Sequence, residues 1–377
     1  MKTTLTFPGF IDVHVHFRDP GVPDAETTAS GLAAAARGGF AAVVTMPNTT
    51  PACDSPELMR YQRDAARRLS DERRGTRDEG ASPVLLPSAC ITKGRLGREV
   101  ADLEALAEAG AAFFTDDGSY VADDRVMEEA MRRAAKLGMC ICEHAMDPKE
   151  QGDGVIRDCE LARIRHLPTI PVSAETVAIR RDLAVCRVTG CRLHIQHIST
   201  AEGVALVRAA QKEGLPVTAE ATPHHLAISC SRIPRDDANY KMAPPLGSDE
   251  DRAELRRAVK DGVLMFATDH APHPAAKKSL GFAASANGII GLETAIPLTW
   301  MTMVEEEGMT PEAWAAAWWK MPRAILSPRA AASLEGARQT TVDVGEWRVV
   351  EVAKFASRAR NCPYDGWESV CWPRFMV

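Results

Sequence analysis

The feature that most constrains the fold is a repeated alternation of apolar, β-rich runs with segments of helical spacing. Eight such runs occur, and most are followed by a helical segment. The alternation predicts a parallel sheet, and eight units predict a closed (β/α)8 TIM barrel rather than an open, doubly wound α/β sheet. The predicted strands begin at Phe10 and continue at 40–46, 84–92, 111–117, 139–145, 192–199, 216–225 and 263–270. The predicted helices lie at 26–37, 56–69, 99–109, 124–137, 174–186, 201–213, 250–261, 292–306 and 311–320.

The chain is expected to divide into two parts. Residues 7–325 would form the barrel, and residues 326–377 a short C-terminal β-rich extension. The second expectation rests on residues 340–352, where apolar and polar positions alternate as they do in short strands.

Composition excludes several classes of protein. The chain has 377 residues, of which 45% are apolar, and a formal net charge of -6, as expected for a soluble globular protein with a large core. No basic stripe favours nucleic acid as a partner, and no apolar run is long enough to span a bilayer. No signal peptide opens the sequence, and the ten cysteines show no paired framework. These features predict a cytoplasmic protein whose cysteines are mostly buried thiols.

Side chains that bind metals collect where the predicted strands end. His14 and His16 are two residues apart on the first strand and therefore project to the same side. The active sites of (β/α)8 barrels form at these strand ends, and of the ten histidines only His166 lies apart from the predicted strands and the residues just past them. The other strand ends carry Asp116, Asp117, Glu143, His144, His197, His224, His225, Asp269, His270 and His273.

This collection predicts a metal centre. Four histidines and two carboxylates around one cavity suit zinc, and they are more ligands than one tetrahedral ion needs. Two ions that share a bridging carboxylate and a bridging hydroxide would use all of them. Only one of the neighbours Asp116 and Asp117 can face the cavity from a strand, and the residues alone leave open which one does. His194 precedes His197 by three positions, so we expect it to face the other way and pack under a helix.

Five motifs carry a resemblance to a known family. They are Gly-Phe-Ile-Asp-Val-His-Val-His-Phe-Arg-Asp-Pro-Gly at 9–21, Met-Pro-Asn-Thr at 46–49, Thr-Asp-Asp-Gly at 115–118, His-Ile-Ser-Thr at 197–200 and Thr-Asp-His-Ala-Pro-His at 268–273. Together they resemble the bacterial type I dihydroorotases of the amidohydrolase superfamily, and the resemblance continues through 291–294 into 354–357 and 361–367. It implies a zinc-dependent cyclic amidohydrolase that interconverts N-carbamoyl-L-aspartate and L-dihydroorotate in pyrimidine synthesis.

The resemblance also implies the metal ligands. Related hydantoin-hydrolysing enzymes place a carboxylated lysine at the end of the fourth strand, but this chain has no lysine between Lys93 and Lys136. An aspartate is therefore implied to bridge, and the resemblance favours Asp117 over Asp116. A binuclear zinc centre would be held by His14, His16 and Asp269 at one ion and by His144 and His197 at the other, with Asp117 between them.

The substrate contacts are implied in the same way. Arg18, Asn48 and His273 would bind the substrate's free carboxylate, since a guanidinium forms paired hydrogen bonds to a carboxylate. Asn287 and Gly288 would lie beside the ring. Asp269 would act as general base and then as general acid.

Two departures from the family pattern concern the substrate and the tail. Ala243 and Gly247 stand where the family usually has an asparagine that contacts the ring and an arginine, and Asn287 is the candidate to replace the lost contact. Family members also carry a longer segment before the first barrel strand, which forms a β-sandwich with the tail. We therefore expect the tail to lack half of its sheet and either to pair elsewhere, for example with another subunit, or to be reduced to loops.

Two alternatives remain open from the sequence. The enzyme could act on another cyclic ureide or imide, which Ala243 and Gly247 would permit. The chain could instead be a non-catalytic barrel that supports aspartate transcarbamoylase, a partner with which type I relatives associate. A homodimer is the other assembly expected.

Overall fold

The computed structural model describes residues 2–73, 82–234, 236–336 and 338–374. The strands are β1 (Thr3–Phe7), β2 (Phe10–Val15), β3 (Phe40–Thr45), β4 (Val84–Pro87), β5 (Phe114–Thr115), β6 (Cys140–Glu143), β7 (Arg192–Ile195), β8 (Val217–Ala221), β9 (Leu264–Phe266), β10 (Thr340–Val349) and β11 (Glu368–Pro373).

Strands β2 to β9 correspond to the eight predicted strands and form a closed ring. They make two parallel sheets, with strand orders β2-β3-β4 and β5-β6-β7-β8-β9. Parallel bridges join the sheets at both seams, between Val15 and His270 and between Ala89 and Phe114. The (β/α)8 barrel predicted from the sequence is confirmed.

Helices connect these strands and flank the tail. The α-helices are α1 (Thr28–Arg37), α2 (Pro56–Arg73), α3 (Leu103–Glu108), α4 (Asp124–Lys136), α5 (Pro148–Gln151), α6 (Glu160–Ile164), α7 (Ser173–Thr189), α8 (Ala201–Lys212), α9 (Pro223–Ala227), α10 (Asp249–Lys260), α11 (Ala275–Lys278), α12 (Gly281–Ala284), α13 (Ala295–Thr299), α14 (Pro311–Ile325) and α15 (Pro328–Ala332). A π-helix follows α13 at Trp300–Glu306, and 3-10 turns lie at Lys93–Arg95, Cys230–Arg232, Ala238–Tyr240 and Val352–Lys354.

Local sequence explains where the elements begin and end. The hydroxyl of Thr27 accepts a hydrogen bond from the main-chain N–H of Ser30, and the reciprocal bond completes a capping box at the start of α1. Every residue of β3 is buried, as expected for a parallel strand covered on both faces. The predicted strand at 216–225 is too long, because Thr222 caps α9 and Pro223 occupies its first turn.

Apolar side chains pack between the barrel strands and the surrounding helices. A separate segment covers the end of the barrel where the strands begin. Trp314 and Trp318 of α14 are fully buried, and both pack against Phe10 of β2. At the start of β5, Ser327 donates to the main-chain carbonyls of Ala111 and Ala112. The segment after α14 therefore covers the end of the barrel where the strands begin and leaves the other end free for a site.

The tail finds its partner strand within the chain. β10 pairs antiparallel with both β1 and β11, so the extension forms a three-stranded sheet. Of the two expected outcomes, the tail pairs elsewhere and is not reduced to loops, and its partner is residues 3–7 of the same chain, a strand that the sequence analysis did not predict. The boundary placed at residue 326 stays a prediction, and Ala337 and residues 375–377 lie outside the described residues.

Two further sequence predictions can be checked against the fold. All ten cysteines are free and buried, as predicted. Within the described ranges, no helix combines the length and the apolar character needed to cross a membrane.

Candidate active site

Residues from the first and last barrel strands form one group of metal-type ligands. His14 and His16 lie at the end of β2, and Asp269 lies just past β9. His16 Nε2 is 2.9 Å from Asp269 Oδ1, and His14 Nε2 is 3.5 Å from the same oxygen. The three side chains are buried, and their ligand atoms lie within 4.8 Å of one another, close enough for one ion.

A second group faces the first across Asp117. Oδ1 of Asp117 lies 3.3 Å from His14 Nε2 and 3.4 Å from His197 Nε2. His144 Nδ1 adjoins this group at 2.9 Å from His197 Nε2 and 3.6 Å from the Asp117 carboxylate. The barrel thus brings together all six predicted metal ligands, which come from five separate strand ends.

Asp117 lies between the two groups. Oδ1 faces the ring nitrogens of His14, His144 and His197, whereas Oδ2 faces His16 Nε2 at 3.4 Å. Its neighbour Asp116 points the other way and accepts hydrogen bonds from the main chain of Ile91 and Thr92. This is the geometry that a bridging carboxylate needs.

The chemistry of the donor set fits a cation. Glu220 Oε1 lies 2.6 Å from His14 Nδ1 and Asn48 Oδ1 lies 2.8 Å from His16 Nδ1, and both of these oxygens can only accept. Each Nδ1 therefore carries a proton, and each Nε2, which faces the carboxylates, is the ring atom that can bind either a proton or a metal ion. His14 Nε2 is buried without a hydrogen-bond partner. Ring nitrogens and carboxylates that converge in this way require a positive charge between them.

The pKa shifts describe an anionic cluster. Burial alone would lower the pKa of His14, but the charges of Asp117, Asp269 and Glu220 outweigh it and raise that pKa well above its usual range. Burial alone would raise the pKa of Asp117 and of Asp269, but the neighbouring histidines hold both pKa values below the usual range. Both carboxylates are therefore ionised at neutral pH and available to a metal.

A cationic pocket adjoins the cluster. The half-buried Arg18 side chain has its Nη1 3.5 Å from His16 Nδ1 and its Nε 3.4 Å from the carbonyl of Pro272. Burial lowers the pKa of Arg18 to about 10, so the guanidinium remains charged at neutral pH. Among the residues that the structure describes, no carboxylate lies within 4 Å of it. The site therefore contains a half-buried cation that has no direct carboxylate partner among the described residues, while the charges of Asp269 and Asp117 act on it from farther away.

His273 and Asn48 lie near this cation. Burial, together with the charge of Arg18, lowers the pKa of His273 to about 3, so its ring is neutral. The His273 Nε2 donates to the main-chain carbonyl of Asn287 over 2.7 Å. The Asn48 amide nitrogen is 3.5 Å from Asp117 Oδ2, so Asn48 orients the metal ligands on both of its sides.

The remaining predicted substrate residues lie in one loop. The side chain of Asn287 is exposed. Asn287 binds His273 through its main-chain carbonyl and not through its side-chain amide. Gly288 is buried, and a Cβ at this position would lie 2.4 Å from the carbonyl oxygen of Ala271 and 2.6 Å from the His273 ring. Only glycine fits there.

Gly247 occupies a closed position. A Cβ at this residue would lie 2.7 Å from the carbonyl oxygen of Ser199 and 2.7 Å from the Cβ of Asp251. The chain around Gly247 therefore has no room for the arginine of the family pattern.

The prediction for His194 is wrong. Its Nδ1 lies 2.8 Å from Thr218 Oγ1 and its Nε2 lies 2.9 Å from Glu220 Oε2, so it shares Glu220 with His14 instead of packing under a helix. The prediction assumed that residues three positions apart on a strand face opposite sides. That rule does not apply here, because β7 ends at Ile195 and the φ of 32° at His197 interrupts the alternation of side chains.

Sequence reasoning missed two residues that organise the site. Glu220 joins His14 and His194, and burial, which would raise its pKa, is outweighed by their charges and hydrogen bonds, which lower it to about 2. Arg95 donates from Nη2 to the carbonyl of Asp117 over 2.5 Å and to Ser119 Oγ over 3.0 Å. For Glu220 the usable signal was its position near the end of a strand, whereas Arg95 gave none.

The weaker candidates lie outside the two groups. Glu143 accepts from the main-chain N–H of Val121, and burial, together with the charge of Asp182, raises its pKa well above the usual range. His225 bonds Thr222 Oγ1 and the carbonyl of Pro244. The ring of His224 lies 4.5 Å from that of His225 at an angle of 52°, and its Nε2 is buried without a hydrogen-bond partner among the described residues.

A closed (β/α)8 barrel with a histidine and aspartate cluster at the carboxyl ends of its strands is the architecture of a metal-dependent amidohydrolase. Solved structures with this fold include the L-hydantoinase (dihydropyrimidinase) from Arthrobacter aurescens, which superposes with a TM-score of 0.82 at 24% identity and covers 98% of this chain and 83% of that one. The D-hydantoinase from a Thermus species superposes with a TM-score of 0.75 at 21% identity.

Sequence comparison narrows the class to one family. The model of the family described as dihydro-orotase-like matches residues 3–203. The dihydroorotase of Geobacillus thermodenitrificans is 43% identical over 98% of this chain and 84% of its own length, and that of Listeria innocua is 41% identical over 98% and 85%. This chain belongs to the dihydroorotase family, and it is a cyclic amidohydrolase.

Proposed function

We propose that this enzyme interconverts N-carbamoyl-L-aspartate and L-dihydroorotate, with zinc as its metal, in cytoplasmic pyrimidine synthesis. The observation that carries the proposal is the half-buried guanidinium of Arg18, which lies beside the histidine and aspartate cluster and has no direct carboxylate partner among the described residues. Dihydroorotate combines a cyclic amide with a free carboxylate, so it presents one group to each half of the site. The name dihydroorotase of the relatives agrees with this assignment.

Substrate binding would begin with the carboxylate. Arg18 offers paired N–H donors, and the amide nitrogen of Asn48 is the second donor on that side. His273 is neutral and its proton is already shared with Asn287, so it becomes a second cationic donor only when a bound carboxylate raises its pKa. Arg18 is therefore the principal anchor, and it holds the scissile amide over the cluster.

The ligand set would place a zinc ion among His14, His16 and Asp269 and a second between His144 and His197, with Asp117 shared. When bound, the two ions polarise the ring carbonyl and lower the pKa of water.

Asp269 would transfer the proton. Its carboxylate is ionised, so it can accept the proton of the attacking water as the new C–O bond forms. It would then deliver that proton to the ring nitrogen as the C–N bond breaks, and ring closure runs through the same steps in reverse. A scaffold without activity would have no need of this proton acceptor within a complete ligand set.

The test replaces Arg18 and compares two substrates. In Arg18→Met we expect KM for L-dihydroorotate to rise at least about 100-fold, because a hydrogen-bonded charge pair is lost. Any turnover of dihydrouracil, which has the same ring without the carboxylate, should be unchanged. Arg98→Met, which changes an exposed arginine, is the control. An unchanged KM for dihydroorotate in Arg18→Met would refute the assignment, and a preference for rings without a carboxylate would favour another cyclic ureide as substrate.

The assemblies implied by the resemblance are part of this proposal. A homodimer, or a complex with aspartate transcarbamoylase, would be detected by size-exclusion chromatography with light scattering, first for the protein alone and then for the mixture.

A further inference from the structure

The loop that carries Asn287 and Gly288 is held by polar contacts more than by packing. It runs from α11 through α12 to Gly288, and Phe282 is its buried apolar side chain. Ala283, Ala284 and Asn287 are exposed. A cavity of about 240 Å³ lies beside it, lined in part by His273, Lys278 and Asn361. Packing alone therefore does not determine where the loop lies.

The ammonium group of Lys278 binds the main chain of this loop. Its Nζ donates to the carbonyls of Ala286 over 2.9 Å and of Gly288 over 3.0 Å. A third carbonyl, that of Lys241, lies at 3.4 Å. Burial, together with the charge of Lys241, lowers the pKa of Lys278 to about 7, and its protonated form has three N–H donors for these three carbonyls. Lys278 thereby joins two segments of the chain, the end of the loop and the segment that contains Ala243.

Lys241 reinforces the same arrangement. Its buried Nζ donates to the carbonyls of Ala283 over 2.6 Å and Ser285 over 2.8 Å. Its own carbonyl accepts the main-chain N–H of Gly288 over 2.9 Å. Two lysines therefore orient the loop carbonyls.

The held segment continues directly to the substrate pocket. The carbonyl of Asn287 accepts the proton of His273 Nε2, so its position determines the tautomer and the orientation of that ring. Asn361 connects the same segment to the main chain of His273. Its Nδ2 donates to the Gly288 carbonyl, and its Oδ1 accepts from the His273 main-chain N–H. A displacement of the segment at 286–288 would move the ring of His273.

We propose that Lys278 is a positioning residue for substrate binding, which holds the segment at 286–288 through its main-chain carbonyls and thereby orients His273 in the carboxylate pocket. Lys278 touches neither the metal ligands nor the reacting atoms, so it acts on affinity and not on the chemical step. This proposal rests on the proposed function, because the pocket that it supports is the one assigned to the carboxylate of dihydroorotate.

The experiment compares Lys278→Met with Lys277→Met, in which the exposed neighbouring lysine is changed instead. Both variants are purified in the zinc-loaded form. We expect Lys278→Met to raise KM for dihydroorotate about tenfold while kcat changes by less than about threefold, because the hydrogen bonds from Nζ to the loop carbonyls are lost. Hydrogen exchange at the amides of 286–288 should accelerate about tenfold in the same variant. Lys277→Met should match the wild type in both measurements.

Two outcomes would overturn the proposal. One is unchanged exchange at 286–288 in Lys278→Met, and the other is a fall in kcat with KM unchanged. If Lys278→Met does not fold, Lys278→Gln, which keeps a neutral donor, is measured in its place. If the wild type itself does not turn over dihydroorotate, the proposed function fails, whereas hydrogen exchange still decides whether Lys278 holds the loop.

Discussion

Glu220 shows how much of the site depends on one residue that binds no substrate. It accepts from His14 Nδ1, is shared with His194 Nε2, and lies 3.2 Å from the main-chain N–H of His197. One buried carboxylate thus orients ligands in both metal groups. Partners of this kind raise the basicity of the ligating histidines and determine which ring nitrogen is free.

Removing this charge should weaken metal binding. In Glu220→Gln one amide group must replace a carboxylate that serves two rings, and its NH2 faces a ring nitrogen that also donates. We expect zinc affinity to fall about 10- to 100-fold, measured by competition with a chromophoric chelator. Glu202→Gln, at an exposed position of α8, should leave the affinity unchanged. Wild-type affinity in Glu220→Gln would contradict this role.

At the residue scale, the sequence predicts ligands better than it predicts their supports. His14, His16 and Asp269 could be predicted because side chains at the carboxyl ends of barrel strands converge on one site. Glu220 could have been noticed from its position near a strand end, but its pairing with His14 could not be predicted, because the two meet only when β8 and β2 come together on barrel closure. The error at His194 has a local cause, the left-handed backbone at His197 that ends the strand alternation.

At the element scale, the tail is attached to the barrel through two acidic side chains. Glu26, buried just before α1, accepts from the hydroxyl of Ser357 and from the main-chain N–H of Arg358, and it lies 3.2 Å from His270 Nε2. Glu293 accepts from the main-chain N–H groups of Ala356 and Ser357. One turn of the tail is therefore bound next to β9 and to Asp269, a predicted metal ligand.

The pKa of Glu26 gives this contact a pH dependence. Burial would raise that pKa, but the hydrogen bonds and charge of His270 and the hydroxyls of Ser30 and Ser357 lower it below its ordinary value of 4.5. A depressed pKa in the folded state stabilises the fold above the unfolded-state pKa, and the contribution is lost as pH falls through the folded-state value. We expect Glu26→Gln to lower the free energy of unfolding at pH 7 by about 1–3 kcal/mol.

Urea unfolding at pH 7 and at pH 3.5 would measure this difference. The gap between the wild type and Glu26→Gln should narrow at the lower pH, since pH 3.5 lies below the ordinary pKa of 4.5 and the carboxyl of the unfolded chain is then mostly protonated. Glu202→Gln again serves as the control, with a change below about 0.5 kcal/mol. A gap that widens on acidification would show that Glu26 is not held as a carboxylate.

Helices and strands were predicted well where several consecutive residues share one pattern, such as a run of apolar side chains. All eight barrel strands were predicted from apolar runs, but most predicted ends lie too far along the chain, because extended residues continue past the last strand pair. β1 was missed, since its five residues are mostly exposed and its partner β10 lies more than 300 positions away. The predicted helix at 292–306 consists of α13 followed by a π-helix, a distinction that spacing does not make.

At the scale of the whole molecule, the fold separates two tasks. One end of the barrel is closed by the segment after α14, and the other gathers side chains from positions 14 to 273 around one cluster. At that end, the histidine and aspartate cluster can hold metal ions, and the adjoining pocket places Arg18 where it can bind an anion. The sequence predicted both sets of residues from shared motifs, since His14, His16 and Arg18 lie together at 9–21 and Asp269 and His273 lie together at 268–273. It could not predict how Lys278 and Asn361 support the adjoining pocket, because that support runs through main-chain carbonyls.

The most direct test of the central claim is the ratio of kcat/KM for L-dihydroorotate to kcat/KM for dihydrouracil, measured with the zinc-loaded wild-type protein. The two rings differ by the carboxylate that Arg18 is assigned to bind. A site built around a half-buried cation should prefer dihydroorotate by about 10³-fold or more, because a ligand without the anion leaves that cation unpaired. A kcat/KM for dihydrouracil equal to or above that for dihydroorotate would contradict the claim.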